Sequence, residues 1–236
     1  MFRSFAMRAN VCLVAVFVSA IAHHLIAPPA AGGPLETAPV TTSMNEDAVV
    51  LEPLHPPLPS GPVKVRVYRS SDVTSEALGA ALNVAQATFA AASVSVVWKV
   101  CGPGECNTPP LPTERLVRLV RAPQGGSLDT RCLGDALIDA QKGTGVLATV
   151  YVDRVLDLVR RLDIDHPTLL GRTIAHEIGH LLLATNTHSA AGLMRELWSP
   201  EELVAGKADD WVLRPLEAAA IRQRLTTSRG RTRNTT

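Results

Sequence analysis

The sequence has few aromatic residues, 4% of its 236, and almost no net charge, +1 at pH 7. A near-neutral chain creates no field that would draw it to nucleic acid or to an acidic membrane surface. So few aromatics also leave no stacking platform for bases. No nucleic-acid partner is expected. No apolar run reaches the roughly 18 to 20 residues of a spanning helix, which excludes a multispan membrane protein. Internal repeats and sustained heptads are missing too, so neither a solenoid nor a coiled coil is in view. There are only four cysteines, and no second ligand pair follows Cys101-x4-Cys106 at zinc-finger spacing.

What remains is a globular composition, 46% apolar and 19% charged, with enough chain for one ordinary core. The charge is uneven. Residues 1–22 carry Arg3 and Arg8, residues 23–62 carry four acids and no Lys or Arg, and Arg229, Arg231 and Arg233 close the chain. Arg3 and Arg8 precede the apolar stretch from Val11 to Ala22, whose end, Ala20-Ile21-Ala22, has the small-x-small form that signal peptidase accepts. Residues 1–22 are therefore read as a secretory signal, which places the protein outside the cell or in a periplasm. An uncleaved membrane anchor is the alternative, although His23 and His24 interrupt the run; after cleavage no stable span remains. Nine of the 17 prolines lie between Pro28 and Pro62, so 23–62 reads as an extended tether or a short pro-segment. Residues 228–236 are polar throughout and are expected to be disordered.

Removing the signal leaves Cys101, Cys106 and Cys132, an odd number that implies one bridge and one leftover thiol. Cys101 and Cys106 can close a tight loop, and Cys132 can compete for either partner.

Residues 63–227 form the expected domain. Val63, Val65 and Val67 alternate with polar neighbours as in a half-buried strand. Leu78, Ala81, Leu82, Ala85 and Phe89 recur at helical spacing after Ser71 and Asp72, which suit a helix start. Val94 to Val100, Leu116 to Val120 and Val146 to Val152 read as further strands. Helices follow from about Arg154 to Arg161, from Pro167 to about Ala184, and from Pro215 to Leu225. The fold class is α+β, with a sheet in the first half and helices in the second.

The chemistry lies in Thr173-Ile-Ala-His176-Glu177-Ile-Gly-His180, an HExxH pattern. Four residues is just over one helical turn, so His176 and His180 project from one face and can hold one ion. Glu177 lies about 100° round the helix, close to the metal but off its ligand axis. Leu170, Ile174, Ile178, Leu181 and Leu182 form the opposing apolar stripe. A catalytic zinc takes three protein ligands and keeps a fourth position open. His188 is the expected third ligand, carried back toward the helix by a turn at Asn186. Gly192-Leu193-Met194 then supplies a turn with a Met able to pack beneath the site.

This series resembles the metzincin clan of zinc endopeptidases. The resemblance spans roughly residues 63–225, and its specific part is His176 to Met194. It implies a twisted mixed sheet with helices in the N-terminal half, an active-site helix, a Met-turn, and a C-terminal helix below. Three departures stand out. The clan spacing HExxHxxGxxH would put Gly at 183 and the third ligand at 186, where this chain has Leu183 and Asn186. Ala184 leaves no glycine to end the helix. Glu196 stands where some members carry a Tyr. A rival ligand scheme of the gluzincin kind would use Glu201 or Glu202, but Ser199-Pro200-Glu201-Glu202 has the form of a helix start.

The activity implied is zinc-dependent hydrolysis of a protein or peptide, with Zn²⁺ on His176, His180 and His188 and Glu177 as general base. The substrate is expected to add as a strand along Val146 to Val152, with Gly143 and Gly145 giving access and Leu193 to Trp198 walling the pocket. The alternative is a secreted, non-catalytic zinc domain of the same fold.

Overall fold

The computed structural model describes residues 61–233 apart from 103, 125–131 and 140–142, with the side chains of 228–233 left aside. The signal (1–22), nearly all of the tether (23–62) and the last three residues lie outside that range.

The element order is β1 (Val63–Tyr68), α1 (Ser75–Ala91), β2 (Val96–Cys101), β3 (Glu114–Val120), β4 (Gly134–Asp139), β5 (Thr144–Tyr151), α2 (Val152–Leu162), α3 (His166–Leu183), α4 (Pro200–Ala205), a short 3-10 turn at Ala208–Trp211, and α5 (Pro215–Arg233). The strands form one mixed sheet of order β2-β1-β3-β5-β4, parallel except for β4, which runs antiparallel to β5. The α+β class is as expected.

Register explains which residues make the core. Val67, Val117, Ala148 and Ala136 stand side by side across β1, β3, β5 and β4, and each is at most 1% exposed. Alternation then assigns Val65, Leu119 and Val150 to the same buried face. Against it lies α3, which packs on β5 and β4 and on α1. The stripe Leu170, Ile174, Ile178, Leu181 and Leu182 is buried as expected, but so are His176, Glu177 and His180 on other faces of the helix. A helix covered all round belongs to a core.

Several expectations change. Thr74, not Ser71 or Asp72, caps α1, its side chain accepting from the Ala77 N–H. The sequence reading has no strand at β4. Val146 to Val152 is not an edge: β5 lies between β3 and β4, so β4 and β2 are the two edges. Gly145 gives no access to that strand, because a Cβ there would stand 2.3 Å from Leu181 Cα, so β5 lies directly against the α3 backbone. The C-terminal helix runs on to Arg233, through residues expected to be disordered.

Cys101 and Cys106 are bonded. Cys132 is 2% exposed and is not a free thiol in the full chain; the leftover thiol is expected only of a chain from which residues 1–22 have been removed. No helix among the described residues is long and apolar enough to cross a membrane.

Candidate metal centre

α3 begins with Asp165, whose side chain accepts from Thr168 N–H, and with Pro in the first turn. It carries His176 and His180 on one face. It stops at Ala184, which takes a left-handed conformation (φ 49°, ψ 44°) and donates its N–H to the His180 carbonyl. The turn expected of Asn186 is thus made two residues earlier. The helix ends at the clan's glycine position, the left-handed turn falls one residue past it, and Thr185 to Thr187 bridge the rest of the way to His188.

His176, His180 and His188 converge. Each offers one ring nitrogen, and the three atoms lie within 4.8 Å of one another. Among the described residues this is the one group of His, Cys, Asp and Glu close enough to share an ion. Two backbone carbonyls orient the first pair: His176 Nδ1 bonds Leu193 O at 2.8 Å, and His180 Nδ1 bonds Thr185 O at 2.8 Å. A carbonyl only accepts, so each Nδ1 carries the hydrogen and each Nε2 is left with a bare lone pair. Those two Nε2 atoms face each other at 3.0 Å. Two lone pairs cannot bond each other, whereas nitrogens that bind one zinc at about 2.0–2.1 Å sit roughly 3.3 Å apart when tetrahedral. His188 Nε2 is buried without a hydrogen-bond partner. The donor set therefore fits a divalent cation.

All three imidazoles are held neutral. Burial drives His176 far below its ordinary value, with His180 and His188 adding to the effect. Burial brings His180 down to about 4 against the help of its bond to Thr185. His188 is lowered by burial, with Glu196 opposing. Neutral imidazole is the ligating form.

The turn beneath supplies more than a methionine. Gly192 (φ 79°) lies where a Cβ would stand 2.8 Å from Val212 O. Leu193 N–H donates to the same Val212 carbonyl at 2.9 Å, and Ser189 N–H donates to Met194 O at 2.9 Å. This clamps the segment that holds both His188 and the Leu193 carbonyl. Met194 is 1% exposed beneath α3. Behind it, Trp198 meets the His176 ring edge to face at 5.6 Å and Trp211 meets Trp198 at 4.9 Å. Arg172 lies 3.9 Å over the Trp211 ring. Leu193, Met194 and Trp198 are thus core residues rather than the wall of an open pocket.

Glu177 points to the sheet. A Cβ on Gly134 of β4 would come 2.6 Å from Glu177 Oε1, so the missing side chain makes the room. Neither carboxylate oxygen has a hydrogen-bond partner. Burial, and after it the charge of Asp135, raises its pKa well above the ordinary carboxylate value. The rival ligand Glu202 is engaged elsewhere. It completes the capping box of α4 with Ser199 and pairs with Arg195.

Sequence reasoning names the three histidines, Glu177 and Met194, and the structure brings all five to one end of α3. It misses the Leu193 and Thr185 carbonyls, which carry no residue-type signal, and Gly134, which does; it names Trp198 only as pocket wall, where the structure packs it against His176. Trp198 and Trp211 are two of only three tryptophans.

Fold and site together define an α+β domain in which three histidines could hold a metal ion. No family model matches the chain, and no curated protein does.

Proposed function

We propose that the protein is an exported zinc-dependent endopeptidase, a divergent relative of the metzincins. The observation that carries this reading is the convergence of three neutral imidazoles, two of them on α3 with their tautomer set by backbone carbonyls; Glu177 follows the first of them in the same helix. The strand-helix-strand-strand-strand-strand-helix order ahead of α3, and Met194 beneath it, support the clan resemblance.

His176, His180 and His188 would hold the ion. Zinc bound by three neutral ligands polarises a peptide carbonyl and acidifies water toward a pKa of about 7. Glu177 would take a proton from the attacking water and return it to the leaving amine. Its lack of hydrogen-bond partners leaves both oxygens available for that transfer, and a nearby cation draws a carboxyl back toward its ionised form. Leu193 and Thr185 hold the imidazoles in register. The peptide would add as a strand along the outer edge of β4, the edge strand that lies over Glu177.

A metal-stabilised binding domain is the second reading. It is favoured by the burial of Glu177 at 0% exposure. Casein cleavage with and without chelator separates the two. The endopeptidase reading expects chelator-sensitive cleavage that Glu177→Gln abolishes while bound zinc stays constant. Wild-type-level cleavage by that variant removes Glu177 from the mechanism, and no cleavage by the zinc-loaded wild type leaves the binding domain.

A further inference from the structure

A second site lies away from the histidines. A cavity of about 360 Å³ opens where β1, β3 and β5 begin, and Leu225 of α5 covers it. Its walls are mostly apolar, with Val63, Pro112 and Val146 among them, and none of its lining belongs to the metal centre. Arg115 also lines it. The alternation that turns Val117 and Leu119 into the core puts Arg115 on the same face of β3, where an aliphatic residue would continue the row.

That guanidinium has no partner among the described residues. Its Nε is buried without a hydrogen bond. Glu114, the carboxylate of the cavity wall, is taken by Arg66 at 2.6 Å and by the Leu111 N–H at 3.1 Å. A second cation stands close by. Arg224 donates to the Gly143 carbonyl, next to Thr144 of the wall, and its charge adds to burial in lowering the Arg115 pKa. Arg115 itself has no counter-charge among the described residues, and an uncompensated charge out of water is costly.

We propose that this cavity binds a carboxylate that carries an apolar body, the carboxylate on Arg115 and the body against Val63, Val146 and Leu225. A guanidinium fork matches a carboxylate with two parallel bonds. Phosphate, a dianion, would want more donors than these walls offer. A small free acid and the C-terminus of a peptide share this chemistry. The inference does not depend on the endopeptidase reading.

The test uses the full chain. Binding is measured by calorimetry and melting shift with hexanoate, with N-acetyl-alanyl-leucine, with the amide of each, and with inorganic phosphate. At least one acid binds, its amide binds at least about tenfold more weakly, and Arg115→Gln loses a comparable factor. The better acid identifies the source. Arg115→Leu without ligand melts no lower than wild type, since it removes an unpaired charge, and a wild-type circular dichroism spectrum with a single cooperative melt shows that the domain is folded. The proposal is overturned if acids and amides bind alike, if neither acid binds at millimolar concentration, or if phosphate binds more tightly than both. An Arg115→Leu variant that melts well below wild type overturns it too, since Arg115 then has a partner inside the fold.

Discussion

Met194 occupies the space that a side chain at residue 179 would need: a Cβ on Gly179 would stand 2.5 Å from Met194 Sδ and 3.1 Å from its Cε. The two residues lock α3 to the turn that carries His188 and the Leu193 carbonyl. Gly179→Ala should therefore destabilise the domain by about 1–3 kcal/mol through overpacking, although an alanine in a helix is ordinarily worth up to about 1 kcal/mol over glycine. Adding Met194→Ala should recover part of that loss, a coupling of opposite sign in a double-mutant cycle. A Gly179→Ala variant more stable than wild type in denaturant would show that the sulfur is not held there.

Metal removal should cost stability, because the three nitrogens converge only in the folded chain. An ion present at about a thousand times its Kd adds about 4 kcal/mol, and for a domain of this size that is roughly 10 °C of melting temperature. Chelation should remove it. His188→Ala should bind zinc far more weakly and melt near the chelated wild type, whereas Glu202→Gln should keep its zinc. Unchanged zinc content in His188→Ala would return the third ligand to Glu202 or elsewhere.

The pH dependence of the metal-free domain should have a maximum. The histidines have folded values below their unfolded 6.5, His180 at about 4. Between those values the unfolded chain binds more protons, so stability falls as pH drops from about 6.5 toward 4, by about 3 kcal/mol for His180 alone. Glu177 has the opposite sign. Its folded value is raised above 4.5, so its contribution is full below 4.5 and is lost as pH rises toward the folded value. Three histidines outweigh one carboxyl below 6.5, and above it only the carboxyl acts. Chelated protein should be most stable near pH 6.5, and Glu177→Gln should flatten the alkaline decline. A stability that climbs steadily through pH 8 in chelated wild type would contradict these shifts.

Ala184 ends α3 in a conformation that costs an L-residue with a Cβ about 1–2 kcal/mol. Ala184→Gly should raise the melting temperature by about 2–4 °C, and Ala184→Val should lower it. A fall for the glycine variant would mean that unfolded-state entropy exceeds the strain.

The parts of this molecule that were legible from sequence are those with a period. The valines of β1 and the aliphatic spacing of α1 and α3 fall where expected because burial on one side enforces them, and two histidines one turn apart need only a helix to meet. His188 could be chosen because few other ligands follow. β4 escaped because it opens on Gly134 and carries Asp135 and Asp139, residues depleted in strands. Its edge position depends on pairing, which no single segment encodes. Ala184 misled because the left-handed turn is assigned by default to Asn or Gly, and here the bond from its N–H to the His180 carbonyl holds an alanine in it. The carbonyls of Leu193 and Thr185 belong to every residue type alike, so only coordinates reveal them.

The strand order also dictates a schedule. β4 touches no strand except β5, which emerges from the ribosome after it. Until residues 144–151 are synthesised, β4 has no neighbour to join, and β3 keeps a bare flank where β5 will insert. The floor beneath Glu177 is therefore completed late, in the same stretch of translation that delivers α3, and a chain cut short within β4 would hold its first three strands together and nothing resembling the site.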